Sequence, residues 1–222
     1  RCVNLNSRKD IVFLILAGFF ITNALMAEMI GGKLISFGIF VQSVGILPWP
    51  VVFLTTDLIN EYYGRKGVIR LSFITVGLIA YAFILLLTTQ EIPAIENSPV
   101  SDESFNQVFG MSRGIIIGSI IAFLVAQVID ALSFHRIKKI TGSRHIWLRA
   151  TGSTVISQLF DTFIVQFIAF VIPGYWSLPE FFENASMGYL FKLLVALGLI
   201  PFIYLFHYII DRYLKVEGNG NT

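Results

Sequence analysis

The chain has 222 residues, of which 55% are hydrophobic and only 14% are charged. Soluble domains carry about a quarter charged residues, so this composition excludes a soluble globular protein. The net charge of +2 gives no indication of nucleic-acid binding, and the single cysteine, Cys2, excludes a disulfide framework and a cysteine-based metal site. We therefore expect an all-α integral membrane protein with a single transmembrane domain over residues 1–222.

Six apolar segments have the length expected of membrane-spanning helices. They lie roughly at 10–30, 48–63, 67–89, 111–134, 148–172 and 186–213. All of the 16 Lys and Arg residues except Lys33, Arg113 and Lys192 fall at the termini and loops on one side of these spans. Basic residues mark the cytoplasmic side, so both termini are predicted to be cytoplasmic.

A short segment between the first two spans has a different pattern. Residues 31–47, GGKLISFGIFVQSVGIL, are apolar but interrupted by glycines, and ISFGIFVQ partly alternates. This pattern favours a short extended hairpin or re-entrant segment over a full span. Non-helical backbone at membrane depth requires protein or water around it.

The first two spans carry acidic and amide side chains. Asn23 and Glu28 interrupt the first span, and Glu28 is expected near the outer end, partly in water. The second span carries Asp57 and Glu61, which are four residues apart and therefore share a helix face. Pairing of Glu61 with Arg65, one turn later, is the structural alternative to a functional role.

The fourth span carries two further patterns. Gly110, Gly114 and Gly118 form a small-residue ridge that predicts close helix packing. Beyond it, Gln127 and Asp130 form a Gln-x-x-Asp motif that recurs as Gln158 and Asp161 in the fifth span. These two helices run in opposite directions, and inverted repeats of this kind flank the binding sites of many transporters. In the sixth span, Lys192 is expected to snorkel to the outer surface.

The most informative stretch, WLRATGSTVISQLFDT, opens the fifth span at residues 147–162. Residues four apart in a helix lie on nearly the same face, because each residue turns by about 100°. One such face carries only polar residues, which we call the polar stripe: Arg149, Ser153, Ser157 and Asp161. Charged groups facing lipid are costly, so the polar stripe is expected to face protein or a water-filled cavity.

Several chemistries are absent from the sequence. There is no glycine-rich phosphate-binding loop, so the chain is not expected to hydrolyse ATP. No HExxH pattern occurs, and His135, His145 and His207 are not at metal-ligand spacing, so no metal, cofactor or catalytic residue is predicted. An intramembrane aspartyl protease is disfavoured because no Gly-x-Gly-Asp motif surrounds any aspartate.

Two stretches resemble the signatures of the VUT, or YhhQ-type, queuosine precursor transporters. The family pattern D-x-x-x-E-x-Y-G is matched at Asp57, Glu61, Tyr63 and Gly64. The pattern W-L-R-x-x-x-S-T-x-x-S-Q-x-x-D is matched at Trp147, Leu148, Arg149, Ser153, Thr154, Ser157, Gln158 and Asp161. The resemblance extends over residues 20–200, and the long acidic loop at 90–112 departs from the family pattern.

The resemblance implies a six-helix importer in the bacterial inner membrane that serves tRNA queuosine salvage and is not an enzyme. Its cargo would be 7-cyano-7-deazaguanine (preQ0), with the aminomethyl relative (preQ1) as a second candidate. The partners are then this small molecule and the lipid bilayer, with no nucleic acid, and a homodimer is a candidate assembly. The alternative is a substrate-binding S subunit of an energy-coupling-factor vitamin importer, which requires an ATPase partner.

These patterns lead to hypotheses about the substrate site. The polar stripe, together with Gln127 and Asp130, is expected to line one central cavity. Asp57 is expected to contribute to that cavity, whereas Glu61 is expected to pair with a basic residue at the cytoplasmic surface. Gln158, Asn23 and Glu28 complete the set of candidate substrate-binding residues.

Asp161 is the leading candidate for direct substrate contact. It lies twelve residues beyond Arg149, or about 18 Å along a helix, which places it near the bilayer midplane. A carboxylate there accepts the two adjacent donors of a guanine-like ring, and Gln158 lies close enough in helical phase to meet the ring carbonyl. The rival hypothesis is a structural ion pair between Asp161 and Lys192.

Overall fold

The computed structural model describes residues 7–38, 40–110, 113–142 and 145–218, and most of these residues are helical. The helices are α1 (Arg8–Met29), α2 (Trp49–Gln90), α3 (Asp102–Phe109), α4 (Arg113–Thr141), α5 (Ile146–Gln166), α6 (Leu178–Gly198) and α7 (Ile200–Gly218). A π-helical turn, Phe167–Val171, extends α5. Two antiparallel strands, β1 (Leu34–Phe37) and β2 (Phe40–Ser43), lie between α1 and α2.

Several of these helices have the length and composition of membrane spans. Four segments qualify singly, namely Arg8–Met29, Val44–Gln90, Gly118–Thr141 and Ile146–Val171. Helices α6 and α7 qualify together as one segment bent by 43°. Pro201 is the second residue of α7, where a helix tolerates proline. Because proline has no N–H, it would interrupt the hydrogen bonding of a single helix running through both α6 and α7. The predicted sixth span is therefore two helices.

Helix α2 contains both the predicted second and third spans. The backbone breaks at Gly64, whose φ of 72° lies in the region that favours glycine. A Cβ placed on Gly67 would lie 3.7 Å from Ile59 Cγ2, whereas residues eight apart in a straight helix are separated by about 12 Å along its axis. The chain therefore turns sharply at Gly64, and the two halves of α2 do not form one straight rod.

The turn at Gly64 lies at the same end of the molecule as the beginning of α1 and the end of α7. The Tyr63 hydroxyl donates to the Lys9 carbonyl at 2.5 Å. The Arg8 guanidinium donates to the Tyr213 carbonyl at 2.8 Å. The structure thus brings together chain segments whose basic residues were predicted to share one side of the membrane.

The segment between α1 and α2 folds as the predicted extended hairpin. Strands β1 and β2 are antiparallel, with Phe37 opposite Phe40. After the hairpin, Ser43 Oγ donates to the Gly31 carbonyl at 2.6 Å, which ties the two ends of the segment together. A Cβ on Gly45 would lie 2.5 Å from the Ala27 carbonyl, so only glycine allows the chain to approach α1 this closely.

The predicted glycine ridge is confirmed at one position and wrong at another. A Cβ on Gly118 of α4 would lie 2.8 Å from Ile168 Cγ2, so this glycine permits close packing against the extension of α5. Gly110, in contrast, caps the end of α3 and precedes α4, because the helix that contains Gly118 begins only at Arg113.

Candidate functional site

The polar stripe of α5 faces the interior of the protein. Arg149, Ser153, Ser157 and Asp161 are all buried, each with 5% or less of its surface exposed. Ile156 and Phe160, on the other side of α5, are 42% and 44% exposed. The helix therefore separates a polar inner face from an apolar outer face, as the spacing of the polar residues predicts.

A cavity with about 210 Å³ of empty space, its mouth included, lies where α2, α4 and α5 meet. Its described lining residues are Phe53, Thr56, Ala126, Gln127, Asp130, Thr154, Ser157 and Gln158. Both glutamines of the repeated Gln-x-x-Asp motif contribute, one from α4 and one from α5. Arg149, Ser153, Asp161 and Asp57 are buried but are not among these lining residues.

Four lining residues were absent from the predicted site: Phe53, Thr56, Ala126 and Thr154. Helical phase provides the signal that would have identified them. Phe53 lies one turn before Asp57, and Thr154 lies one turn before Ser157 and Gln158, so each shares a face with a predicted residue. The buried face of a helix includes neutral side chains that polarity alone does not reveal.

Asp130 connects the three helices around the cavity. Its Oδ1 accepts a hydrogen bond from Ser157 Oγ of α5 at 3.2 Å. Its Oδ2 accepts one from Asn60 Nδ2 of α2 at 3.4 Å. In the motif of α5, Ser157 comes directly before Gln158 and donates to Asp130 of α4. The residue at the same place in the motif of α4 is Ala126, which has no hydroxyl group and therefore cannot donate to Asp161.

The polar lining of the cavity is only partly hydrogen-bonded. Two of its buried oxygens, Gln127 Oε1 and Gln158 Oε1, have no described hydrogen-bond partner, and neither do Asp57 Oδ1 and Asn60 Oδ1 outside the lining. A buried acceptor without a donor costs about 1–3 kcal/mol. A ligand that donates N–H groups to the two glutamine oxygens would remove part of this cost, so the cavity has the chemistry to bind such a molecule.

Asp161 forms a buried ion pair with Lys192 of α6. Lys192 Nζ lies 2.6 Å from Asp161 Oδ2, and the two side chains are 10% and 7% exposed. The Lys192 ammonium group also lies 5.7 Å from the centre of the Trp49 ring. The expectation that Lys192 snorkels to the outer surface is therefore wrong, because a carboxylate inside the bundle compensates its charge.

Glu28 lies beside this ion pair. It is only 9% exposed, so the expectation that it is partly in water is wrong. Its carboxylate accepts a hydrogen bond from Ser119 Oγ at 2.5 Å, and it is close enough to interact electrostatically with Asp161 and Lys192. We call these four side chains the Lys192 cluster.

Arg149 lies at the opposite end of the polar stripe, where it pairs with Glu61. Its Nη2 lies 2.8 Å from Glu61 Oε2, and Lys138 Nζ lies 3.0 Å from the same oxygen. The alternative of pairing between Glu61 and Arg65 is therefore wrong. The break at Gly64 interrupts the helical geometry that would place Arg65 one turn beyond Glu61. We call Glu61, Lys138 and Arg149 the Arg149 cluster.

Asn23 does not join the other candidate residues through its described hydrogen bond. Its Nδ2 donates to the Phe19 carbonyl, one turn earlier in α1, at 2.8 Å. A helical asparagine that bonds its own backbone is satisfied locally. The structure thus groups most of the predicted residues into the cavity, the Lys192 cluster and the Arg149 cluster, and Asn23, Asp57 and Ser153 belong to none of the three.

Comparison with known proteins identifies relatives. The "Putative vitamin uptake transporter" family matches residues 43–206, more than half of the chain. The "Probable queuosine precursor transporter" of Bacillus subtilis (strain 168) is 34% identical over 167 residues, which cover 73% of this chain and 70% of the relative. The "Queuosine precursor transporter" of Escherichia coli (strain K12) is 28% identical over 183 residues, which cover 77% and 74%.

A third relative has the same description. The "Probable queuosine precursor transporter" of Haemophilus influenzae (strain ATCC 51907 / DSM 11121 / KW20 / Rd) is 27% identical over 172 residues, covering 74% of this chain and 66% of the relative. No solved structure matches the chain. The names of these relatives are those of transporters, which are not enzymes, and the apolar helices agree with a multi-pass membrane protein. This chain belongs to the "Putative vitamin uptake transporter" family.

Proposed function

We propose that this protein imports queuosine precursors, the 7-deazaguanines preQ0 and preQ1, across the bacterial inner membrane. The observation that carries the proposal is the polar cavity between α2, α4 and α5, in which Gln127 Oε1 and Gln158 Oε1 have no described hydrogen-bond partner. A 7-deazaguanine carries ring and amino N–H groups that can donate to these oxygens. The names of the relatives support the same class of substrate.

Asp130 is the residue that we assign to the guanine-like edge. A carboxylate accepts two parallel N–H bonds from adjacent ring and amino nitrogens. Asp130 is held between α2 and α5 by its bonds to Asn60 and Ser157, so its position is fixed before the ligand arrives. Gln127 and Gln158 stand on either side and offer amide groups to the ring carbonyl or to further N–H groups.

The remaining candidate residues act around this site. Asp161 and Arg149 are engaged in ion pairs in this structure, so their contact with substrate requires those pairs to open. The cavity itself has a volume of only about 10 Å³, with room for about one water molecule, whereas ligand pockets typically measure about 300–1,000 Å³. Substrate entry therefore requires helices or side chains to move, as alternating access demands of a transporter.

The proposal includes a six-span topology with both termini in the cytoplasm. Helix α1, the two halves of α2, α4, α5 and the bent pair of α6 and α7 make six crossings. An even number of crossings places both termini on one side, in agreement with the basic residues gathered at the Gly64 end. The hairpin of β1 and β2 precedes the short first half of α2.

Uptake by this chain alone tests the function. We expect expression in a host that can neither make nor import queuosine precursors to restore queuosine in tRNA when preQ0 is supplied. A requirement for an energy-coupling ATPase would favour the S-subunit alternative. No restoration by folded, membrane-inserted protein under either condition would contradict the proposal.

The site is tested with Asp130→Asn in purified protein. This change keeps the shape but replaces an acceptor with a donor, which leaves ligand N–H groups unpaired. A loss of about 1–3 kcal/mol corresponds to roughly 5- to 150-fold weaker preQ0 binding. Glu183→Gln removes an exposed carboxylate and is the matched control. Unchanged affinity in folded Asp130→Asn would remove this residue from the site.

A further inference from the structure

Asp57 and Asp130 form a pair of buried carboxyl groups on neighbouring helices. Asp57 and Asp130 are each 5% exposed. Asn60, one turn beyond Asp57 on α2, donates to Asp130 Oδ2 at 3.4 Å, so both carboxyl groups lie at the same contact between α2 and α4. Like charges held together in a site that excludes water cannot both ionise readily. The pair therefore needs either a cation or a proton.

The described basic residues of the interior are already paired with other carboxylates. Arg149 is bound to Glu61, and Lys192 is bound to Asp161. Both pairs are direct contacts, at 2.8 Å and 2.6 Å. Within the part of the chain that the structure describes, neither cation is thus directed to Asp57 or Asp130. A proton bound to one of the two aspartates is the remaining way to compensate their charge.

The hydrogen bonds distinguish the two carboxyl groups. Asp130 accepts from Ser157 Oγ and Asn60 Nδ2, and such donors stabilise an ionised carboxylate. Asp57 Oδ1 is buried without a donor. A protonated carboxyl group becomes a donor itself, and an acceptor without a partner, Asn60 Oδ1, lies one turn along the same helix. Asp57 is therefore the better position for the proton.

Other charged and titratable groups are carried by α2 and by the helices around it, and most of them are engaged with one another. They are Glu28 of α1, Glu61 of α2, His135 and Lys138 of α4, Arg149 and Asp161 of α5, Lys192 of α6, and His207 and Asp211 of α7. Glu61 belongs to the Arg149 cluster, Glu28 belongs to the Lys192 cluster, and His207 pairs with Asp211 at 3.3 Å. His135 approaches the turn at Gly64.

We propose that Asp57 is a proton-binding site and that the proton it carries is transported together with the substrate. Phe53 and Thr56, in the same turn of α2 as Asp57, line the cavity. Substrate in the cavity displaces water next to this turn, and desolvation favours the neutral, protonated carboxyl group. Proton and substrate therefore strengthen each other's binding, since linkage is reciprocal. This inference rests on the proposed function and adds its energy source.

The test uses the full chain reconstituted in proteoliposomes, with preQ0 as the probe and the membrane potential clamped at zero. With one proton per substrate, an inside pH one unit above the outside pH drives tenfold accumulation. We also expect addition of preQ0 to acidify the lumen, as reported by a trapped pH-sensitive dye. Exchange of labelled for unlabelled preQ0, with the same pH on both sides of the membrane, measures transport that does not depend on proton coupling.

Asp57→Asn mimics the protonated side chain. We expect this variant to exchange preQ0 but to accumulate none above the outside concentration and to bring in no protons. Asp57→Glu keeps a titratable group and should retain accumulation, and Glu96→Gln, an exposed loop carboxylate, is the matched neutralisation control. Tenfold accumulation by Asp57→Asn would place the proton elsewhere and overturn the assignment.

Further outcomes separate this inference from the proposed function. If the parent protein exchanges preQ0 but never accumulates it under a pH gradient, the proton inference fails and the proposed function stands. If the parent protein exchanges no 7-deazaguanine, the proposed function itself fails.

Equilibrium binding to the parent protein is a measurement that requires no variant. Affinity for preQ0 should fall up to tenfold per pH unit as the site loses its proton, and flat affinity from pH 5.5 to 8.5 would refute the linkage.

Discussion

The buried pair of Asp161 and Lys192 provides the sharpest quantitative prediction. The two charges are 2.6 Å apart with side chains at most 10% exposed, and Glu28 interacts with the same lysine. Lys192→Met leaves two buried carboxylates without a cation, whereas Asp161→Asn leaves Lys192 with Glu28. The two substitutions are therefore expected to be unequal, although each removes one partner of the same pair.

The expected magnitudes follow from burial. Removing one partner of a buried ion pair costs about 3–5 kcal/mol when the other charge is left uncompensated, which is our expectation for Lys192→Met. For a chain of this length this corresponds to a midpoint lowered by roughly 6–20 °C. Asp161→Asn should cost about 1.5–3 kcal/mol, the value of a hydrogen bond to a charged group, because Glu28 remains available.

Thermal unfolding of purified protein in one detergent, followed by tryptophan fluorescence, measures these differences. The double variant Asp161→Asn with Lys192→Met should be no less stable than Lys192→Met alone, which corresponds to a coupling energy of at least about 1.5–3 kcal/mol. Lys139→Met, at an exposed lysine, is the matched control and should stay within about 0.5 kcal/mol of the parent. Additive single effects, or Asp161→Asn costing more than Lys192→Met, would refute the reasoning.

Three further substitutions test one end of the bundle and its packing. Glu61→Gln leaves Arg149, which is 2% exposed, without its carboxylate. We expect a several-fold lower yield of monodisperse protein but near-parent preQ0 affinity in the recovered fraction, and lost affinity at normal yield would contradict this role. Gly118→Ala would force a Cβ to within 2.8 Å of Ile168, so we expect about 1–3 kcal/mol of destabilisation by thermal unfolding. Gly77→Ala meets nothing within 4 Å and should instead stabilise α2 by about 0.5–1 kcal/mol; the reverse order would contradict the packing argument.

Helical periodicity was sufficient to predict much of this architecture. The polar stripe repeats every four residues, and the cost of exposing charge to lipid decides that this face is buried. Alternation and glycine content similarly identified the hairpin before α2. In both cases the prediction depends only on residues that are close together in the sequence, because these residues form the periodic pattern.

Partner choice among buried charges could be predicted only in part. The pair of Asp161 and Lys192, 31 residues apart, was one of two hypotheses for Asp161, and the sequence did not decide between them. Glu61 pairs with Arg149 and not with the nearby Arg65. Sequence proximity favours Arg65, but the break at Gly64 redirects the chain after Glu61. Such pairings depend on how helices pack and rotate relative to one another, which no local pattern encodes.

The order of polar groups along α5 explains how one helix can serve an alternating-access cycle. Arg149 is bound at one end, Ser157 contacts Asp130 at the cavity, and Asp161 is bound on the other side of it. From Arg149 to Asp161 the rise is about 18 Å, so the two ion pairs flank the cavity from opposite directions. An ion pair between helices resists their separation, and in low dielectric this resistance is strong. In our proposal, opening one side of the cavity breaks the ion pair on that side while the other pair stays intact. In our proposal, that alternation exposes the Asp57–Asp130 junction to one aqueous compartment at a time.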